Sequence, residues 1–245
     1  MNVTSIKSSD RLIANLAGML PALETAYKDI HAYPELSMHE HRTAGIAAKH
    51  LQNNGYDVAT GVGNTGVVGV LRNGEGPTVM LRADMDALPI REATGLDYAS
   101  TATAKDANGN PVPVAHACGH DMHVAWLMCV TALFSQQRDA WGGTLVTVFQ
   151  PGEETAQGAR PMIADGLLDR FPKPDVVLGQ HVMVGSSGTI AGSAGPITFA
   201  ADSRQIRLFG RGAHGSMRHV AALDRVTPIA GDRQTSSIRE SVSYR

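Results

Sequence analysis

Cysteine is nearly absent: the 245 residues contain Cys118 and Cys129 and no others. A secreted disulfide scaffold is thereby excluded, and a reducing compartment is expected. No charge of one sign dominates, since 21 Lys and Arg stand against 23 Asp and Glu, for a formal net charge of -2. Nucleic acid and anionic membrane surfaces call for clustered basic residues, so neither is an expected partner. No apolar run approaches the roughly 20 residues of a membrane helix. Met1 to Leu23 also lacks the continuous apolar core of an export signal, so the expected location is cytoplasmic. Internal repeats and low-complexity segments are missing too. What remains is ordinary: 43% hydrophobic residues, enough for a soluble chain that buries a core as one large domain or two small ones.

Apolar residues at Leu12, Ile13, Leu16, Leu20, Leu23, Tyr27 and Ile30 recur at three-and-four spacing, which predicts an amphipathic helix from Arg11 to Tyr33, ended before Pro34. A second helix is expected from Met38 to Asn54, with Asn53-Asn54-Gly55 as a left-handed cap. Gly66–Leu71 and Thr78–Ala83 read as strands. The Asn73-Gly74 pair between them suits a tight turn, so antiparallel pairing of these two strands is expected. Val124, Leu127, Met128, Thr131, Ala132 and Phe134 share one side of a predicted helix over Asp121–Gln137, capped by Asp121. Trp126, Met128 and Phe134 are expected in the core. Thr144–Phe149 predicts a buried strand, Pro161–Phe171 a helix and Asp175–Leu178 a further strand. This alternation predicts an α/β fold, a mixed sheet covered by helices on both faces. Gly185–Pro196, rich in Gly and Ser, reads as a crossover to a second domain, where Arg204–Phe209 alternates like a half-buried strand.

Three segments carry chemistry. Cys118 and His120 stand two apart, about 200° from one another on a regular helix, so they can share a metal only from irregular chain before the helix, which Gly119 permits. Thiolate with imidazole suits zinc, cobalt, nickel or manganese rather than calcium or magnesium. The alternative is a small buried Cys beside a surface His. Glu153 and Glu154 follow a buried strand and a Pro-Gly break. On extended chain they point to opposite sides, one able to ligate and the other to move a proton. The alternative there is a solvated acidic pair, but carboxyl ends of strands are where α/β sheets bind ligands. His181 ends another strand in the equivalent place. Asp84 ends the Thr78–Ala83 strand and is expected either to orient a ligating imidazole or to serve a turn. His116, His123 and His219 carry less weight, and His123 is expected to face solvent.

Taken together, Arg82-Ala83-Asp84-Met85-Asp86-Ala87-Leu88-Pro89, His116-Ala117-Cys118-Gly119-His120-Asp121, Gln150-Pro151-Gly152-Glu153-Glu154, Gln180-His181-Val182 and Gly210-Arg211-Gly212-Ala213-His214-Gly215-Ser216 resemble the M20 metallopeptidase family. More narrowly they resemble its amidohydrolase branch, that of hippurate hydrolases, N-acyl-amino-acid amidohydrolases and plant auxin-conjugate hydrolases. His31-Ala32-Tyr33-Pro34-Glu35-Leu36-Ser37 fits the same branch, and the match runs from about residue 10 to Met217. The resemblance implies a catalytic domain holding two divalent ions (Zn, Mn, Ni or Co) and an inserted smaller domain that makes a homodimer. By that resemblance Cys118, His120, Glu154 and His181 are metal ligands, Glu153 is the general acid/base, and His214 reaches the substrate. Residues 1–190 then belong to the catalytic domain and 191–217 begin the inserted one.

After Met217 the sequence departs from the family pattern. Arg218, Arg225, Arg233, Arg239 and Arg245 punctuate a stretch without Lys or sustained apolar period, as a shifted reading frame does, so 218–245 is expected to be a disordered tail. The function expected is metal-dependent cleavage of the amide bond of a small N-acyl or N-aroyl amino acid, impaired in this chain. The alternatives are an inactive fragment that pairs with an intact homologue, and a dipeptidase using the same centre.

Overall fold

The computed structural model describes residues 8–192 and Gly195. The chain divides into two compact units, Met1–Val184 and Gly185–Arg245, and every named element lies in the first. Gly210 to Ser216 with His214, the expected strand over 204–209 and the tail over 218–245 lie outside the described residues.

Three helices lead in: α1 (Ser8–Leu12), α2 (Leu16–Ala32) and α3 (His41–Asn53). The single helix expected over residues 11–33 is interrupted, because the Leu16 N–H reaches only the Ile13 carbonyl, a tight turn, and Asn15 takes the N-cap of α2. Gly55 closes α3 with φ +73, the left-handed conformation read from Asn53-Asn54-Gly55.

Strands β1 (Asp57–Val62), β2 (Gly66–Asn73) and β3 (Thr78–Asp84) follow, then a two-stranded ribbon of β4 (Thr103–Lys105) and β5 (Pro111–Pro113). Helix α4 (His120–Gln136), a 3-10 turn (Arg138–Ala140), β6 (Gly143–Gln150), α5 (Ala159–Ala164) and β7 (Val176–Gly179) complete the described elements. The main sheet has five strands in the order β1-β2-β6-β3-β7. Strands β1, β2 and β6 pair antiparallel, whereas β6, β3 and β7 run parallel.

The expected pairing of β2 with β3 is not formed, because β6 lies between them. A two-residue turn joins only adjacent strands. Here the whole Arg72–Pro77 connection spans two strand spacings, with left-handed φ at Gly74 and Gly76. A Cβ on Gly76 would come within 2.7 Å of the Gly142 carbonyl oxygen, so the connection passes tightly over the start of β6. Strand β6 takes the central slot because five of its side chains from Leu145 to Phe149 are buried, which only a strand covered on both faces achieves.

Alternate residues of the sheet feed two cores. Val67, Leu71, Ala83, Leu145 and Phe149 pack with Ile30, Ala47, Leu51, Val124 and Leu127, so α2, α3 and α4 cover one face. Val68, Val70, Met80, Val146 and Val148 pack with Met162 of α5 and Leu167 on the other. The layered α/β fold is therefore as read from the sequence. Burying Phe149 alone contributes about 1.5–3 kcal/mol. The helix expected over residues 161–171 is short, because Gly166 at φ +87 ends it and turns follow. Trp126 is 41% exposed, which corrects its placement in the core; it lies off the buried face of α4 and packs on the His123 ring.

Candidate metal centre

Parallel register brings three motifs to one edge of the sheet. Asp84 stands opposite Gln150 on β6, and Arg82 stands opposite Gly179 on β7. The segments that leave β3, β6 and β7 thus begin side by side at the carboxyl ends of parallel strands, where α/β sheets bind ligands. The fourth motif arrives on α4, whose N-cap is Gly119 at φ +78 rather than Asp121. A left-handed residue there needs no Cβ, and it turns Cys118 back toward His120 before the helix starts. The Asp121 carboxyl is engaged elsewhere, 2.6 Å from His31 Nδ1.

Cys118 Sγ lies 3.6 Å from His181 Nε2. Donor atoms of Cys118, His120 and His181 all fall within 4.8 Å of one another, as do those of His120, Glu153 and Glu154. His120 Nε2 is 3.8 Å from Glu153 Oε2 and 3.8 Å from Glu154 Oε1. Both glutamates therefore converge on one imidazole, which corrects the expectation that they point to opposite sides. Extended chain alternates its side chains, but this segment is a turn: Gly152 has φ +56, and the Ala156 N–H closes on the Glu153 carbonyl at 2.8 Å. The two still differ in exposure, with the Glu153 side chain 40% exposed and Glu154 17%.

Two of these atoms are orphans. His120 Nε2 and Glu154 Oε1 are inaccessible to solvent and have no hydrogen-bond partner. A buried unsatisfied polar group costs about 1–3 kcal/mol, and two that face each other across the space of a cation are the mark of a ligand position. The charge balance agrees. Burial, then the carboxyls of Glu154 and Glu153, push the Cys118 thiol up to about 12. Burial likewise raises Glu154, against the opposing pull of the neighbouring Cys118 and His120. A divalent cation reverses both tendencies, because the charged forms of thiol and carboxyl are its ligands. Donors of sulfur, nitrogen and oxygen fit a borderline transition metal.

The supporting contacts differ in part from those read in the sequence. His120 Nδ1 is held not by Asp84 but by Asp86 Oδ1, at 3.2 Å. Asp86 Oδ2 also accepts the Ser37 hydroxyl at 2.6 Å and the Glu154 backbone N–H at 2.9 Å, so this one carboxylate ties together three motifs. Burial opposes ionisation of Asp86, but these hydrogen bonds outweigh it and lower its pKa. Asp84 does orient an imidazole, that of His123, with Oδ1 2.5 Å from Nδ1. Burial works against its charge, yet His123, Arg82 and His120 hold the carboxyl down at about 2. His123 is wholly buried, which corrects its expected exposure. Its spacing carried the signal, since residues three apart share a helix face, and its ring sits 5.3 Å from that of His120. His116 is buried too, and burial pulls it down to about 4. Beside the centre a cavity of about 330 Å³ is lined by His116, Cys118, Gly119, His181 and Val182.

The profile of peptidase family M20/M25/M40 matches residues 80–195, which include the segments of Asp84 and Asp86, Cys118 and His120, Glu153 and Glu154, and His181. The hippurate hydrolase of Campylobacter jejuni is 40% identical over 207 residues, 84% of this chain and 51% of that protein. The N-acyl-L-amino acid amidohydrolase of Geobacillus stearothermophilus is 38% identical over 195 residues, 78% of this chain and 50% of that protein. Among solved structures, the Bacillus subtilis YXEP protein, a dinuclear metal-binding peptidase of the M20 family, superposes with a TM-score of 0.59 at 32% identity. That match covers 67% of this chain and 43% of the other. The chain spans about half the length of the curated relatives it matches. The motifs, the sheet and the relatives agree: the chain is similar to the M20 peptidases over residues 80–195, and over most of its length to the hippurate hydrolase and the N-acyl-L-amino acid amidohydrolase.

Proposed function

We propose that this chain carries the metal-binding part of an amidohydrolase that cleaves the amide bond of a small N-acyl or N-aroyl amino acid. Cys118, His120, Glu154 and His181 would hold two divalent ions there. When bound, such ions polarise the amide carbonyl and make water acidic enough to attack near neutral pH. The observation that carries this reading is the unpartnered pair His120 Nε2 and Glu154 Oε1, 3.8 Å apart in the buried part of the site.

The chain's own groups divide the work. Asp86 keeps the proton of His120 on Nδ1, which leaves the Nε2 lone pair free to ligate. Glu153, the more exposed of the two glutamates, takes a proton from the attacking water and delivers it to the leaving amine nitrogen. A cavity of about 330 Å³ is of the size that admits a small molecule. The names of the hippurate hydrolase and the N-acyl-L-amino acid amidohydrolase support the substrate class.

Titration of the purified chain with Zn2+, Mn2+, Ni2+ and Co2+, followed by assay against hippurate and N-acetyl amino acids with and without chelator, tests the proposal. Uptake of about two ions per chain and chelator-sensitive release of the amino acid are the expected results. A chain that takes up none of these metals overturns it.

A further inference from the structure

Asp84 and His123 are wholly buried beside the centre, yet neither has a place among the four proposed ligands. Asp84 Oδ2 accepts from Arg82 Nη1 at 2.7 Å, and Oδ1 lies 2.5 Å from His123 Nδ1. A carboxylate there accepts, so Nδ1 carries the proton of the His123 ring. The opposite nitrogen, Nε2, accepts the backbone N–H of Val182 at 2.9 Å. Both ring nitrogens are thus engaged. Although donors of Asp84, His120 and His123 lie within 4.8 Å of one another, His123 has no lone pair left for a cation.

The chain of contacts ends next to a proposed ligand. Val182 follows His181, and the Val182 carbonyl accepts the His181 Nδ1–H at 2.6 Å. Both polar groups of this one peptide segment are therefore occupied, one by His123 and one by His181. The strand that precedes it, β7, is the edge strand of the sheet among the described residues and is exposed along its length. Helix α4, by contrast, is anchored in the core through Val124, Leu127 and Met128. His123 is the side chain through which that rigid helix grips the loop, its ring 4.7 Å from the His181 ring at 69°.

We infer that His123 is a positioning residue, which through the Val182 N–H fixes the loop after β7 so that His181 Nε2 faces Cys118. The inference rests on the proposed metal centre. It assigns Arg82, Asp84 and His123 one task, the orientation of a ligand from behind, which for metal sites typically changes affinity about 10–100-fold.

The test uses two substitutions in the full chain. In His123→Gln the amide oxygen comes near the place of Nε2 and can still accept from Val182. In His123→Asn the amide keeps a donor for Asp84 but falls short of Val182. Co2+ binding is followed by the thiolate-to-cobalt charge-transfer band and by affinity, with circular dichroism as the check on folding. The expected results are a near-native band for His123→Gln, and for His123→Asn an affinity about tenfold or more weaker, with an altered band as in His181→Ala. If His123→Asn binds Co2+ as the native chain does, or if both variants are equally impaired, the inference fails while the metal centre stands. If the native chain itself shows no band, the centre and this inference fail together. Should His123→Asn not fold, amide exchange on the native chain decides: protection of the Val182 N–H is required, and a freely exchanging one overturns the assignment.

Discussion

Glu40, wholly buried ahead of α3, accepts the Gly152 backbone N–H at 2.8 Å and so holds the turn that presents Glu153 and Glu154. The same carboxyl accepts the Met38 N–H at 2.8 Å and the Thr65 hydroxyl at 2.5 Å. Glu40→Ala leaves these donors unpaired in the interior and is expected to destabilise the chain by about 3 kcal/mol or more. Glu40→Gln keeps an acceptor for the two backbone groups, and Thr65 can rotate, so a smaller loss is expected. Urea denaturation of the two variants checks the order, and equal losses speak against this account.

Glu153 and Glu154 are expected to separate by function. Glu153→Gln should retain metal while turnover falls about 10²–10⁴-fold, the usual worth of a positioned general base. Glu154→Gln should lose metal as well. Parallel measurement of metal content and hydrolysis decides, and loss of metal in both variants removes the distinction.

His31 supplies a pH dependence away from the centre. Burial opposes its charge, but hydrogen bonds to Glu92 at 2.9 Å and Asp121 at 2.6 Å outweigh this and raise its pKa above the ordinary 6.5. A raised folded-state pKa means stabilisation that is complete below about pH 6.5 and lost as pH climbs through the folded value. The loss can reach about 1.4 kcal/mol per pH unit in that window. Unfolding midpoints measured from pH 5.5 to 9 should fall in the native chain and run flatter in His31→Gln. A native profile that rises with pH contradicts the sign.

Gly119 is expected to tolerate no side chain. At φ +78 an added Cβ is strained, and it would sit 3.3 Å from Val182 Cβ on the loop of His181. Gly119→Ala should destabilise by about 1 kcal/mol or more and weaken metal uptake by separating Cys118 from His181. Calorimetric unfolding with a Co2+ titration tests both parts.

Strand β7 exposes Val176 at 48%, Val177 at 59% and Leu178 at 52%, on a sheet edge that no other strand among the described residues pairs. Such an edge invites pairing between chains. Val177→Lys should reduce light scattering of the purified chain while its stability changes by no more than about 0.5 kcal/mol. Unchanged association in this variant places the contact elsewhere.

The local pattern of the chain determined most of its helices and strands, because apolar period and turn residues act over a few neighbours, but it ran the first helix across Asn15, carried the last one past Gly166 and missed the short β4–β5 ribbon. It also marked Cys118, His120, Glu153, Glu154 and His181, since each lies at the end of a periodic segment. Two decisions were made only in three dimensions. Strand β6 entered between β2 and β3, since pairing partners are chosen by burial of whole strand faces, and a nearby Asn-Gly pair does not register that. Asp86 and not Asp84 took the His120 ring, and His123 turned inward to the loop of His181, because hydrogen bonds between groups 34 and 59 residues apart depend on how elements dock. Sequence supplied the donors; packing chose which lone pairs stay free.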